Sequence, residues 1–154
     1  MARLTVALPT VLLLSMGATS MSAQDSIYDQ NALRVQSIRG DLQILRGSQG
    51  VVVAHSGIFH GPGLANLVTQ SDSAVAEAKV FERDYQPGQY IAGLGIAMMG
   101  AAIGASRIPD INTLIPGGLT VASFALIVYG AGRLESAYRA LSKAIWLYNR
   151  DLKR

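Results

Sequence analysis

Apolar residues crowd into three places along this chain and thin out between them. The first is Leu4 to Ala18 (LTVALPTVLLLSMGA), the second Tyr90 to Ser106, and the third Leu114 to Gly132 (LIPGGLTVASFALIVYGAG). Neither of the last two contains an acidic or basic residue. As helices rising 1.5 Å per residue, each spans about 25–30 Å, close to the hydrocarbon thickness of a bilayer. The connection Arg107 to Thr113 (RIPDINT) is short and polar enough to turn at an interface. Pro109 breaks the first helix, and Pro116 falls in the first turn of the second, where proline is tolerated. The pattern predicts an antiparallel transmembrane hairpin with spans 90–106 and 114–132. A chain of 154 residues has too little other structure to bury two such helices in a soluble core.

The first apolar run reads as an export signal. Met1-Ala2-Arg3 supplies a short positive start, and small residues follow the run, allowing cleavage after Ala23 or Ser20. Pro9 and the limited apolar length disfavour a permanent span. The predicted divisions are therefore 1–23 signal peptide, 24–89 small extramembrane module, 90–132 hairpin and 133–154 tail.

In the module, Leu33 to Ala54 mixes short alternating runs with Gly40, Gly47 and Gly50. Leu42 and Ile44 alternate with Asp41 and Gln43, and Val51-Val52-Val53 is β-branched, which predicts two or three short strands joined by tight turns. His55 to Gly63 (HSGIFHGPG) reads as a loop, because Gly-Pro-Gly stops regular structure. Leu64, Leu67 and Val68 predict a short helix. Ser71 to Tyr85 predicts a longer one, capped by Ser71 or Asp72, with Ala74, Ala78, Phe81 and Tyr85 near one face and Pro87-Gly88 as its end. The tail, Arg133 to Arg154, is an amphipathic helix with Leu134, Ala137, Tyr138, Leu141, Ala144, Ile145, Tyr148 and Leu152 on its apolar side. Trp146 and Tyr148 suit a headgroup interface, and Arg139, Lys143 and Arg150 suit anionic lipid. The segment either continues the second span as one long helix or bends along the membrane surface, and packing of this helix on the N-terminal module is the competing arrangement. The expected fold class is a mainly α membrane protein: a two-helix transmembrane hairpin with an amphipathic C-terminal helix, preceded by a small α+β module.

Composition sharpens this picture. Half the residues are hydrophobic and only 15% are charged, below the roughly 25% usual for soluble domains. A formal charge of +3 is too small to argue for nucleic acid as a partner. The chain has no cysteine, which excludes disulfides, thiolate metal sites and lipidation at cysteine.

Glycine in the spans carries the functional reading. In lipid, apolar burial does not drive helix association, and small residues let backbones pack closely instead. Gly93, Ala97, Gly100, Ala101 and Gly104 fall within about a 100° arc, with Leu94, Met98, Met99 and Ile103 outside it. Gly118, Ala122, Ala125 and Gly132 share a face of the second span, joined by Tyr129. These faces suit packing of the two helices on each other or packing across protomers.

Candidate chemistry is sparse. His55 and His60 could ligate a metal with Asp72 or Glu77, but two histidines without a firm third ligand are a weak signal. Ser56 beside His55 lacks a G-x-S-x-G elbow. Asp72, Glu77, Glu82 and Asp84 read as a solvated helix face with Lys79 and Arg83 between them. Gly93-x-Gly95 lacks the strand-then-helix setting of a nucleotide loop. No catalytic set, metal site or cofactor site emerges. The reading is a non-enzymatic scaffold or accessory subunit whose partners are the bilayer and either further copies or a larger membrane complex. The alternatives are a metal-dependent or hydrolytic envelope enzyme built on the 55–60 loop, and a small pore component. Against the pore, the spans lack a charged or amide ring.

The C-terminal half, with AVAEAKVFERDY, a Gly-rich span, a short loop, a second span and LSKAIWLYNRDL, resembles a loose group of small uncharacterised bacterial envelope proteins. The shared feature is a closing K-A-x-x-x-Y-N-like motif, here Lys143-Ala144-Ile145-Trp146-Leu147-Tyr148-Asn149. The resemblance implies a Gram-negative envelope setting and no activity. A cleaved signal puts residues 24–89 in the periplasm and returns the tail there. Six basic residues from Arg133 onward, against two acidic ones, favour the cytoplasm instead. Early segments usually dominate insertion, so the expected site is the bacterial inner membrane with the module in the periplasm.

Overall fold

The computed structural model describes residues 25–38, 41–56, 63–109 and 112–153. The predicted signal peptide, and with it His60, Gly40 and Asp110, lies outside the described residues. Residues 25–31 form a short helix of about two turns, here α1. Three strands follow, β1 (Leu33–Ile38), β2 (Asp41–Arg46) and β3 (Val51–Ser56), then α2 (Leu64–Leu67), α3 (Asp72–Ala105) and α4 (Leu114–Asp151).

The strands form an antiparallel meander in the order β1-β2-β3. The alternation of β2 decides which face is covered: Leu42 and Ile44 are buried, while Asp41 is exposed. A bulge between Ile44 and Leu45 leaves Val53 as the extra residue of β3, and Val51 and Val52 are exposed beyond it. Gly47 makes the β2–β3 turn with φ +73°, and its amide donates to Ala32 O at 2.8 Å. A Cβ there would lie 2.7 Å from Gln30 O, so only glycine lets the turn close on α1. His55 and Ser56, predicted to open a loop, end β3 instead.

One prediction about the helices is corrected, and one that was open is decided. Pro87-Gly88 does not end a helix: α3 runs unbroken through Pro87 to Ala105. An interior proline removes a hydrogen bond and costs about 3 kcal/mol in isolation. Here packing along the whole of α3 against α4 offsets that cost. Of the courses open to the tail, it takes the continuous one: α4 runs unbroken from the second span to Asp151. The predicted Ser71 cap is present, its Oγ accepting from the Ala74 amide at 3.2 Å.

At about 51 and 57 Å, α3 and α4 are nearly twice as long as a bilayer's apolar core is thick. Their two halves differ. In the half near the sheet, Phe81 and Tyr85 of α3 pack with Leu141, Ile145 and Tyr148 of α4. Leu33 and Ile44 of the sheet, Leu64 of α2 and Val68 just after it complete the same core. Phe81 and Tyr85 rings lie 4.9 Å apart, and Tyr138 meets Tyr85 edge-on at 6.0 Å. We call this half the head.

In the other half the apolar surface faces outward. Leu114 is 78% exposed and Val121 73%, and Leu94, Ile96, Ile103 and Phe124 are also exposed. Of the most apolar window of each helix, only 17% (α3) and 11% (α4) is buried within the chain. Both helices are long and apolar enough to cross a membrane. Polar side chains in this half bond to their own helix: Thr120 Oγ1 donates to Pro116 O and Ser123 Oγ to Thr120 O, each at 2.8 Å.

The closing motif holds the sheet to the hairpin. Asn149 Nδ2 donates to Leu33 O, and the Leu33 amide donates to Asn149 Oδ1, both at 2.8 Å. One side-chain amide thus satisfies both backbone groups of a residue at the start of β1, as a neighbouring strand would. Asn149→Ala leaves two partly buried groups unpaired and is expected to lower stability by about 1–3 kcal/mol. Hydrogen exchange should speed up at the Leu33 amide before it does in α3. Unchanged protection at Leu33 would show that the contact does not anchor the sheet.

Candidate functional site

The seam between α3 and α4 is built from residues seven apart. On α3 these are Ala74, Phe81, Gly88, Gly95 and Ala102, all buried. On α4 they are Ser123, Gly130, Ala137 and Ala144, also buried. Seven-residue spacing keeps one edge of a helix against its neighbour over many turns. Gly88, Gly95 and Gly130 occupy the middle of the seam, and at Gly95 and Gly130 the backbones meet. A Cβ on Gly130 would lie 2.6 Å from the Ala92 amide nitrogen, and one on Gly95 would lie 2.9 Å from Ser123 O. A Cβ on Gly88 would lie 3.1 Å from the Leu134 side chain. Fully buried Ser123 also approaches Met99, with Oγ 3.6 Å from Sδ.

The glycines picked out from the sequence are elsewhere. Gly93, Ala97, Gly100, Ala101 and Gly104 are all exposed, as are Gly118, Ala122, Ala125, Tyr129 and Gly132. A Cβ at Gly93, Gly100, Gly104, Gly118 or Gly132 would meet nothing within 4 Å. Of the two packing arrangements considered for these faces, contact between the two helices of one chain is therefore excluded. The signal that marks the true seam is the seven-residue repeat through Pro87, visible only when α3 is read as one helix.

Where the apolar half gives way to the head, a charged cluster bridges the helices. Asp84 and Arg83 on α3, and Arg133 on α4, are the first charged residues met on leaving the apolar stretch. Asp84 is 6% exposed. It accepts from Arg83 Nε and Arg83 Nη2 at 3.0 Å, from Arg133 Nη1 at 3.3 Å and from Ser136 Oγ at 3.2 Å. The Arg83 hydrogen bonds, helped by its charge, Ser136 and Arg133, hold the Asp84 carboxyl below its ordinary pKa against the opposing effect of burial. Arg133 also donates to Tyr129 Oη from Nε (3.2 Å) and Nη2 (3.1 Å) and lies over the Tyr129 ring. An open cleft of about 480 Å³ lies here, with Val128 and Tyr129 on its apolar side.

Glu77 and Glu82, assigned to the same solvated face, also have partners. Glu77 pairs with Lys143 at 2.5 Å, and Glu82 Oε1 accepts from the Ala65 amide in the first turn of α2 at 2.9 Å. The residues expected at the membrane interface lie along the head. Tyr148 is in the core at 3% exposure, which overturns its assignment to the interface. Arg139 pairs with Glu135, and Arg150 pairs with Asp151 and lies over exposed Trp146. The K-A-x-x-x-Y-N-like motif is thus structural in each of its polar members: Lys143 binds α3, Tyr148 fills the core and Asn149 holds β1.

His55 lies on β3 and is exposed, His60 lies outside the described residues, and Asp72 opens α3. Among the described residues no three His, Cys, Asp or Glu side chains come together as a metal set.

Substitutions at the two classes of glycine should have opposite signs. Gly130→Ala forces the backbones apart and is expected to destabilise by about 1–3 kcal/mol. Gly100→Ala adds a methyl to open space and is expected to be neutral or stabilising by up to about 1 kcal/mol through helix propensity. Unfolding of the detergent-solubilised protein followed by circular dichroism measures both. Equal effects at the two positions would place the seam elsewhere. Compared with known protein families, with curated proteins and with solved structures, the chain matches none.

Proposed function

We propose that this chain is a small, non-enzymatic integral membrane protein that serves as a scaffold or accessory subunit through lateral packing of its hairpin. The observation that carries the reading is the pair of outward small-residue faces. Gly93, Ala97, Gly100 and Gly104 on α3, and Gly118, Ala122 and Gly132 on α4, are exposed. The chain closes its own hairpin with other residues, so these faces remain available to further helices. In lipid, such faces permit the close backbone approach that drives association. Further copies or a larger membrane complex are the partners of this chemistry. Replacing Gly100 and Gly104 together with leucine is expected to abolish crosslinks formed in native membranes while leaving the folded monomer intact. Crosslinks of unchanged pattern and yield would remove the proposal.

The proposed setting is the inner membrane of a Gram-negative bacterium, with the head in the periplasm. The export-signal pattern and the resemblance of the C-terminal half to small envelope proteins support it. Direct contacts between the tail and the module, Asn149 with Leu33 and Asp151 with Ser71, support a single compartment for both. Arg133, Arg139, Lys143 and Arg150 of the basic tail are paired with carboxylates in the folded head. Alkaline phosphatase fused after Arg154 should therefore be active, and a reporter that works only in the cytoplasm should be silent there. The reverse pattern would place the head in the cytoplasm.

A further inference from the structure

Every strong acceptor in the charged cluster is used, but its donors are not. An arginine carries five N–H groups. Arg83 spends two of them on Asp84, and Arg133 spends one on Asp84 and two on Tyr129. Three remain on Arg83 and two on Arg133. Tyr129 Oη accepts both of its hydrogen bonds from Arg133, so its own O–H proton is also free to donate. Two guanidinium groups against one carboxylate leave the cluster with one net positive charge. The cleft between them is large enough for a small polar group, since ligand sites begin at about 300 Å³.

The surroundings select the ligand. The cleft sits at the junction of the apolar half and the head, beside Tyr129, where an interfacial aromatic would lie. Its apolar wall, Val128, continues along α4 as exposed Phe124 and Val121, a ridge four and then three residues apart. A ligand that fits has an acceptor-rich anionic head at the cluster and an apolar chain running along this ridge.

We propose that the cleft binds the phosphate of an anionic phospholipid in the head-side leaflet, with Arg83, Arg133 and the Tyr129 hydroxyl as donors and Val128, Phe124 and Val121 against one acyl chain. Asp84 is a positioning residue: it holds the two guanidinium groups beside each other and leaves their remaining donors to the lipid. The site rests on the membrane reading above.

The test uses the full chain in detergent, offered phosphatidylglycerol or phosphatidylcholine with identical acyl chains. Native mass spectrometry counts the lipid retained. Both lipids carry the phosphodiester, but the quaternary ammonium of phosphatidylcholine brings a like charge to the net positive cluster, so phosphatidylglycerol should be retained about tenfold over it. Arg83→Gln should remove that preference. Arg83 is exposed, and Asp84 keeps Arg133 and Ser136, so this variant retains the fold. Arg133→Lys keeps the charge, loses the fork and should weaken retention severalfold. Arg139→Gln, an equal change of charge away from the cleft, should leave it unchanged. Equal retention of the two lipids overturns the site, and so does an equal loss in Arg139→Gln. Displacement of the lipid by millimolar inorganic phosphate would assign the cleft to a soluble anion instead. Membranes washed with alkaline carbonate separate the two levels of the argument. A chain that stays in the pellet but shows no lipid preference loses the site alone, whereas one released to the supernatant loses the membrane reading too.

Discussion

The whole molecule hangs on the contact of two helix backbones where side chains are absent. Gly130 stands against the backbone of Ala92, and Gly95 against that of Ser123. No other residue type fits at either place, so the distance between the helices is set there. That spacing fixes the register of everything along the same seam. Gly88 meets Leu134 a turn or two below, and below that Asp84 reaches both Arg133 and Ser136. Further down, Glu77 reaches Lys143 and Ser71 reaches Asp151. A slip by one residue would break these together, because they lie on one continuous pair of helices.

In the proposed membrane setting, one seam works in two solvents by two different means. In the head, water drives burial, and Phe81, Tyr85, Leu141 and Tyr148 each gain about 1.5–3 kcal/mol by leaving it. In the apolar half that gain is absent if the surroundings are lipid, and what remains is van der Waals contact between close backbones. This accounts for the small residues Gly95, Ala102, Ser123 and Gly130 where the seam passes through the apolar half. The head also supplies what the spans lack, a steep penalty for wrong register. Large buried rings and a sheet tied down by Asn149 tolerate one alignment, and the glycine contacts inherit it.

The elements of this fold were largely legible in the sequence, and the seam was not. Alternation around Leu42 and Ile44 marked β2 because one sheet face is buried and the other is not. The charge-free stretches marked the apolar half because long helices facing outward leave no room for charge. Pro87 misled for a physical reason. Its local cost is real, and only packing distributed along 34 residues of α3 outweighs it. Once the helix is cut at Pro87, the repeat Ala74-Phe81-Gly88-Gly95-Ala102 is cut as well. Within 93–105 the arc Gly93-Ala97-Gly100-Ala101-Gly104 then stands out, while only Gly95 and Ala102 of the seam repeat remain in view. Asp84 was hidden for a similar reason: helical spacing places it among charged neighbours, and only α4, about fifty residues away, shows that it is buried.

The placement of Pro87 follows from the same constraint. A proline in the apolar half would leave a carbonyl unbonded where water is scarce, at a cost of several kcal/mol. At position 87 the carbonyl that loses its usual donor belongs to Arg83, on the turn that carries the exposed guanidinium. That turn lies at the edge of the head, where water reaches it. Asp84, on the same turn, ties α3 to α4 through Arg133 and Ser136. Gly88, on the next turn, packs against Leu134 and Arg133. The turn of α3 that carries the proline's cost is thus fastened to α4 from both sides, and α3 remains one helix from the head through its apolar half.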